Sequence, residues 1–235
     1  MDNLPDVVSH EEWLVARNEL LAKEKELTHA RDRVNAERRR LPMVRMDKPY
    51  TFEGPDGPVG LLDMFDGRPQ MVMHHFMWTY DVDAEGNEQP RDVGCMSCSS
   101  AADRIGELRQ LHARNTTLVA VSRGPYPKLA AFKERMGWTF PWYSSAGSDF
   151  NHDFRTTRDG WDYPAISAFL RVGHEVFHTY STYDRGIEEF HYGIPYLDLT
   201  PLGRQEEWEE PKGRATPLGL PVGGPNLRFP DEYDT

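Results

Sequence analysis

Asp92-Val93-Gly94-Cys95-Met96-Ser97-Cys98-Ser99-Ser100 holds both cysteines of the 235-residue chain, three positions apart, and decides the fold that we expect. The apolar run from Met71 to Trp78 lies upstream, after a turn, and is typical of a buried strand. Downstream, apolar residues recur at the spacing of a helix: Ala101, Ala102, Ile105, Leu108 and Leu111. The cysteine pair therefore lies where a strand passes through a loop into a helix.

The start of a helix favours a thiolate over a thiol. Its first backbone N–H groups have no partner within the helix and carry about half a positive charge. A cysteine with an ordinary pKa of about 8.5 becomes more acidic there by roughly one to several units. We expect Cys95 to be the nucleophile, and Cys98, more buried and about one turn further on, to attack the mixed disulfide.

Two other interpretations of the cysteines remain open. They could supply half of a tetrahedral zinc or copper site, with the remaining ligands drawn from His74, His75 and His178. They could also be small core residues without chemistry. A zinc site of four cysteines from one chain is excluded, because the chain has only two.

The composition describes a soluble globular protein with 38% hydrophobic and 28% charged residues. The net charge of -11 argues against nucleic acid and anionic membranes as partners, since either favours a basic face. No apolar run approaches the roughly 20 residues that cross a bilayer, and the N-terminal residues are acidic, so we expect a cytoplasmic location. Two nearby cysteines there suit catalysis or metal binding better than a structural disulfide. We expect no bound cofactor.

The pattern divides the chain into an N-terminal helical arm (1–46), a central domain (47–202) and an irregular C-terminal tail (203–235). Ser9 and Glu12 form a capping box that opens a helix of about 30 residues. Its apolar residues repeat every seven positions: Trp13, Leu20, Leu27, Val34 and Leu41. This seam packs either on the domain of the same chain or, in a homodimer, on a second copy.

The central domain alternates strands and helices. After a hairpin near Tyr50 to Leu62, we expect the Met71 strand, a long loop over 79–93, a helix from Cys98 to about Ala113 and a strand over Thr116–Ser122. A helix then ends at Gly137, a short strand and a polar loop over 147–160 follow, and a hairpin turns at Gly173-His174. This alternation of strands and helices predicts an α/β fold built on a parallel βαβ unit.

Several motifs resemble one known family, the thioredoxin-like proteins catalogued as domain of unknown function 899 and described as predicted dithiol-disulfide oxidoreductases. They include Val8-Ser9-His10-Glu11-Glu12-Trp13-Leu14, Gly94-Cys95-Met96-Ser97-Cys98-Ser99, Val119-Ala120-Val121-Ser122-Arg123, Gly147-Ser148-Asp149-Phe150-Asn151 and Val176-Phe177-His178-Thr179-Tyr180. The likeness covers residues 8 to 205. Two features depart from it: the 79–93 loop is longer, and the tail after Arg204 does not match.

The resemblance implies a thioredoxin-like central sheet with flanking helices, and thiol–disulfide redox chemistry at Cys95 and Cys98. In such folds a proline before the strand that faces the cysteines is often cis and contacts substrate, which makes Pro164 a candidate. Other residues of the family-like motifs fall at strand ends or loops and are predicted to lie beside the substrate: Arg123, Ser144, Ser145, Asp149 and His178.

The predicted function is thiol–disulfide exchange with a protein or small-molecule thiol or disulfide. One alternative is a thioredoxin-like protein that binds copper or zinc through the two cysteines and a histidine. Another is a peroxiredoxin-like peroxidase, although Asp92 stands where the peroxiredoxin pattern has threonine. A last alternative is a binding module that keeps the fold without the chemistry.

Overall fold

A computed structural model describes residues 4–212 and 227–233, and its main element is an eight-stranded sheet. Numbered along the chain and given in spatial order, its strands are β1 (Val44–Arg45), β12 (Glu175–Tyr183), β11 (Ala165–Val172), β4 (Gln70–His75), β7 (Thr116–Ser122), β8 (Trp142–Ser144), β2 (Thr51–Gly54) and β3 (Gly57–Gly60). Two separate hairpins pair β5 (Trp78–Val82) with β6 (Glu88–Gly94), and β9 (Thr157–Arg158) with β10 (Trp161–Asp162).

The centre of the sheet is parallel and its flanks are antiparallel. Strands β4, β7 and β8 run in the same direction, whereas β11 is antiparallel to both β4 and β12. The helices are α1 (His10–Arg38), α2 (Met96–Ala102), α3 (Arg109–His112), α4 (Tyr126–Met136), α5 (Phe150–Asp153) and α6 (Ile194–Leu197). The order β12-β11-β4-β7, with α2 between the two parallel strands, is a thioredoxin-like arrangement. The predicted fold class is confirmed.

Each face of the sheet has its own apolar core. On one face, α2 and α4 bury Cys98, Leu129 and Phe132 against Phe76 and aromatic residues of the chain around β8. The other face is covered by α5 and a 3-10 turn over Asp63–Phe65. The connections from β4 to β7 and from β7 to β8 both carry their helices on the first face, because right-handed crossovers between successive parallel strands place them on the same side. The face that carries α2 is therefore the one that bears the cysteines.

The long N-terminal helix forms where the capping box predicts. The Ser9 hydroxyl accepts the N–H of Glu12 at 3.2 Å, and the Ser9 N–H donates to the Glu12 carboxylate at 2.9 Å. The helix runs over 29 residues and buries none of them. Its C-terminal end leads into β1, which pairs with the edge of the sheet at β12. The predicted division into arm, domain and tail stays a prediction.

The predicted loop over 79–93 is wrong, because the segment forms the β5–β6 hairpin. The Asp83 carboxylate closes its turn by accepting the N–H groups of Glu85 at 3.0 Å and Asn87 at 2.7 Å. Most residues of the hairpin are polar and at least partly exposed. An apolar alternation that would have indicated strands is therefore absent from the sequence.

The expected helix from Cys98 to Ala113 is also wrong, since α2 ends at Ala102 and the chain becomes α-helical again only at Arg109, where α3 begins. The Asp103 carboxylate accepts the Trp138 indole N–H at 2.8 Å, which holds the chain at this break. Gly106, a poor helix former, lies within it.

Three further expectations differ from the structure or fall beyond it. The polar loop over 147–160 contains α5 and most of the β9–β10 hairpin. The bond before Pro164 is trans, since the cis peptide bond within the described ranges precedes Pro211. Much of the predicted irregular tail lies outside the described residues, although Phe229 is buried beside α4.

Of the helices described, none is both long and apolar enough to cross a membrane.

Two neighbouring histidines, His74 and His75, are buried on opposite faces of β4. Burial lowers the pKa of His74 to about 4 and that of His75 to about 3. His75 Nε2 lies 2.8 Å from the Ser167 hydroxyl, while His74 Nε2 has no hydrogen-bond partner among the described residues. Both side chains are therefore neutral at pH 7.

We predict that these histidines make the fold sensitive to acid. Their pKa values lie below the unfolded value of about 6.5, so the unfolded chain binds more protons once the pH falls below it. The free energy of unfolding should drop by about 2 kcal/mol per histidine between pH 6.5 and pH 5. His74→Leu should flatten this slope in urea unfolding, whereas the exposed His174→Leu should not. An unchanged slope in His74→Leu would contradict the assignment.

Candidate functional site

Cys95 is fixed at the point where the β5–β6 hairpin ends and α2 begins. Its N–H donates to the Met77 carbonyl at 3.1 Å, and its carbonyl accepts both the N–H and the hydroxyl of Ser99 at 2.9 Å. The preceding residue, Gly94, has no room for a side chain, because a Cβ there would overlap the Phe76 ring. The sulfur is therefore held directly before the first turn of the helix.

The two thiols differ in exposure and in acidity. Cys95 is partly buried, and Cys98 is 1% exposed in the core beneath it. A hydrogen bond from the Cys98 thiol, supported by the backbone N–H groups of Cys98 and Ser97, lowers the pKa of Cys95 to about 7. The same hydrogen bond, together with burial, raises the pKa of Cys98 well above its ordinary range. At pH 7 Cys95 is therefore about half thiolate, whereas Cys98 stays a thiol.

A buried carboxylate, Asp162 at the end of β10, acts on both sulfurs. Its negative charge raises the pKa of Cys95 and of Cys98, in each case as the smallest of the contributions. The carboxylate accepts the Thr157 hydroxyl at 2.7 Å and the Trp78 N–H at 3.4 Å. Burial raises the pKa of Asp162 itself. The site therefore combines two thiols with one desolvated carboxylate.

Arg123 joins this carboxylate to the hairpin. Directly after β7, its Nε donates to Asp162 at 2.8 Å and its terminal nitrogens donate to Glu88 at 2.7 and 3.4 Å. Its guanidinium also lies over the Tyr80 ring, 4.5 Å from the centroid. Because Glu88 and Tyr80 belong to the hairpin, Arg123 ties the hairpin to the sheet.

A cavity of about 520 Å³ opens beside this ion-pair network. Three of the predicted substrate-adjacent residues line it: Arg123, Ser145 and Asp149. The Ser145 hydroxyl donates to the Asn151 side chain at 2.6 Å, and Asp149 accepts Lys48 at 2.8 Å. Neither cysteine lines the cavity. Arg123 lines the cavity and bonds Asp162, whose charge acts on both thiols.

The other three predicted residues lie elsewhere. Ser144 is buried at the end of β8 and donates its hydroxyl to the Gly124 carbonyl at 2.6 Å. His178 Nε2 lies 2.7 Å from the Ser181 hydroxyl, within a chain of hydrogen bonds that reaches His75 through Ser167. Pro164 directly precedes β11, and its carbonyl accepts the Asp184 N–H at 3.3 Å.

Two of the three histidines that could complete a metal site lie across the sheet from Cys98. His75 and His178 belong to the serine-linked chain on the α5 face of the sheet, whereas Cys98 packs on the α2 face. Within residues 4–212 and 227–233, no group of three or more His, Cys, Asp or Glu side chains could hold a metal ion.

The sequence matches one protein family over nearly its whole length. The model of the bacterial proteins of unknown function DUF899 matches residues 2–229. This chain belongs to the DUF899 family. The resemblance inferred from the motifs is confirmed as to family, while a search of curated proteins found no match.

Solved structures that match this DUF899 protein are distant. Peroxidoxin BcpB from Mycobacterium tuberculosis is 16% identical, with a TM-score of 0.43 over 61% of this chain and 84% of its own. A PrxQ mutant from Xylella fastidiosa is 13% identical, with a TM-score of 0.42 over 63% and 90%. A hypothetical protein from Sinorhizobium meliloti is 10% identical, with a TM-score of 0.38 over 58% and 68%. At these values the matches say nothing about activity.

Sequence reasoning missed Asp162, the buried carboxylate whose charge acts on both thiols of this DUF899 protein. It stands in a polar stretch with other aspartates, and no periodicity separates it from them. Only its position two residues before Pro164 could have pointed to it, because that proline was already assigned to the site. Glu88 and Tyr80 were also missed, since the hairpin that carries them was not predicted.

We predict that the acidity of Cys95 depends on the Cys98 thiol. Cys98→Ala removes the hydrogen-bond donor and should raise the pKa of Cys95 from about 7 toward the ordinary value of about 8.5. Cys98→Ser keeps a donor and should hold the pKa lower than Cys98→Ala does. The pH dependence of iodoacetamide alkylation reports the remaining thiol. Equal pKa values in the two variants would show that the backbone N–H groups act alone.

Proposed function

We propose that this protein is a thiol–disulfide oxidoreductase in which Cys95 and Cys98 alternate between a dithiol and a disulfide. The observation that carries the proposal is that the site lowers the pKa of Cys95 and raises the pKa of Cys98. A partly exposed Cys95 with a pKa of about 7 is about half nucleophilic thiolate at pH 7. Cys98, buried and protonated, is withheld from solvent and from premature reaction.

In the first step the Cys95 thiolate attacks one sulfur of a substrate disulfide. The substrate S–S bond breaks, its other sulfur leaves as a thiolate that takes a proton from water, and Cys95 is held in a mixed disulfide. In the second step Cys98 loses its proton and attacks the Cys95 sulfur. The Cys95–Cys98 disulfide forms and the second substrate thiol is released, so the substrate gains two electrons that the protein loses. An external dithiol returns the protein to its reduced form.

The first step itself prepares Cys98 for the second. The largest cause of the high pKa of Cys98 is its hydrogen bond to Cys95, and the negative charge of Cys95 adds to it. Both disappear when Cys95 becomes a neutral mixed disulfide, so the pKa of Cys98 falls at the moment when it must react. Asp162 is a carboxylate whose charge acts on both sulfurs, which suits it to accept the proton of Cys98.

The cavity beside Arg123 is the surface that we assign to the substrate chain next to its disulfide. It is lined mainly by polar groups from the hairpin and from the loop after β8, Ser145 and Asp149 among them. Its volume of about 520 Å³ suits a peptide side chain or a small disulfide. Contact of substrate with Pro164, Ser144 or His178 stays a prediction.

The alternatives receive less support from the site. The Asp92 carboxylate, at the position where the peroxiredoxin pattern has threonine, is exposed and bonded to Lys128 at 2.5 Å. A metal site of cysteines and histidines lacks its histidines around the described thiols. A binding module without chemistry would not explain why the two sulfurs differ so strongly in acidity.

We expect the reduced protein to react with glutathione disulfide and end as the intramolecular disulfide, two hydrogens lighter by intact mass. Cys98→Ser should stop at the first step and carry one glutathionyl group on Cys95, because no second thiol can resolve it. Cys95→Ser should form neither product and should lose turnover with a dithiol by at least about 100-fold. Circular dichroism checks that both variants fold.

Three results would contradict this assignment. Turnover that persists in Cys95→Ser would exclude Cys95 as the nucleophile. A Cys98→Ser protein that keeps wild-type turnover would exclude Cys98 as the resolving thiol. Rapid consumption of hydrogen peroxide with slow reaction toward disulfides would favour the peroxidase instead.

A further inference from the structure

The N-terminal helix α1 presents an apolar seam that stays more than half exposed within the part of the chain that the structure describes. The residues that repeat every seven positions are Trp13, Leu20, Leu27 and Val34 in the helix and Leu41 in the turn after it. All five are 51–63% exposed. The helix is about 43 Å long at 1.5 Å per residue. Helices in proteins owe most of their stability to burial of an apolar face, and this one buries no residue.

One flank of the seam leans on the domain. Arg31 lies 3.9 Å from Glu189, and the Arg38 guanidinium lies over the Tyr180 ring at 4.5 Å from its centroid. Both arginines follow a seam residue by four positions, which places them on the same flank of the helix. The domain therefore contacts the helix on one side of the seam, and the seam residues themselves stay more than half exposed.

We propose that the seam pairs with the seam of a second copy of this chain, as an antiparallel two-stranded coiled coil. A spacing of seven residues fits a partner of the same spacing, because both helices then supercoil together and keep their seams in contact. The four helical seam residues span three heptads. In the two-fold arrangement Leu27 lies at the axis and packs against Leu27 of the second copy.

The charges beside the seam set the orientation. We call the residues directly before the seam residues the leading row. They are Glu12, Glu19, Glu26, Arg33 and Arg40. In an antiparallel pair these rows face each other. Glu12 then meets Arg40 of the second copy and Glu19 meets Arg33, each pair occurring twice, while the two Glu26 side chains meet once near the axis.

A parallel pair would use the charges less well. There the leading row faces the residues four after each seam residue, which are Arg17, Glu24, Arg31 and Arg38. Glu12 would meet Arg17 and Glu26 would meet Arg31, both attractive. Glu19 would meet Glu24 and Arg33 would meet Arg38, both repulsive, so the attractive and repulsive pairs would be equal in number. This second row is also engaged within the chain already, by the Arg17–Glu24 bond of 2.8 Å and by the contacts of Arg31 and Arg38 with the domain.

Sedimentation of the full-length protein at micromolar concentrations tests the pairing. The wild type should sediment as a dimer, at twice the 27.1 kDa of one chain. Leu27→Glu places two like charges at the axis and should give monomers. Val15→Glu is the matched control, because Val15 is on the same helix and also 63% exposed but lies off the seam; it should stay dimeric. A monomeric wild type, or a dimer that survives Leu27→Glu, would overturn the proposal.

Charge exchange tests the orientation. Glu19→Lys alone and Arg33→Glu alone should each weaken the dimer, by roughly tenfold, because two attractive pairs become repulsive. The double variant should recover most of the wild-type affinity. In a parallel coil either single variant would instead tighten the dimer, and that result would overturn the antiparallel arrangement. Circular dichroism and the alkylation rate of Cys95 should be unchanged in all of these variants.

Discussion

The hydrogen bond from the Cys98 thiol to the Cys95 sulfur is the interaction on which the site depends. A single proton between two sulfurs acidifies one and protects the other, and neither effect needs an external base. Its geometry requires the first turn of α2, which places residues three apart on the same side of the helix. The remainder of the fold keeps that turn in place and keeps water away from its inner sulfur.

The hairpin and the sheet supply this support from different directions. Gly94 brings β6 against the Phe76 ring, so Cys95 enters the helix at a fixed position. Arg123 then ties the hairpin to Asp162, a carboxylate whose burial raises its own pKa and whose charge acts on both sulfurs. Asp162 therefore connects the cysteine pair to the surface where the hairpin, the end of β7 and the loop after β8 meet.

Patterns of burial made much of the fold predictable from the sequence, and polar structure accounts for most of the failures. The apolar strand from Met71 and the β-branched strand from Thr116 indicated the parallel unit. The helix before Gly137 ends as predicted, because Gly137 adopts the left-handed conformation that is typical of the residue after a helix. The β5–β6 hairpin is closed by hydrogen bonds to the Asp83 carboxylate, and such bonds produce no periodic pattern of apolar residues in the sequence. The Asp159-Gly160 turn of the β9–β10 hairpin did carry a recognisable signal, with positive φ at both residues, and it was overlooked.

Titration of both cysteines in the wild-type protein tests the central claim most directly. Carbon-13 labels at the two Cβ atoms report each thiol separately by NMR as the pH rises. The account predicts that Cys95 titrates near pH 7 and that Cys98 stays protonated well above the pKa of an ordinary cysteine. Two thiols that titrate together near the ordinary value of about 8.5, or Cys98 before Cys95, would contradict it.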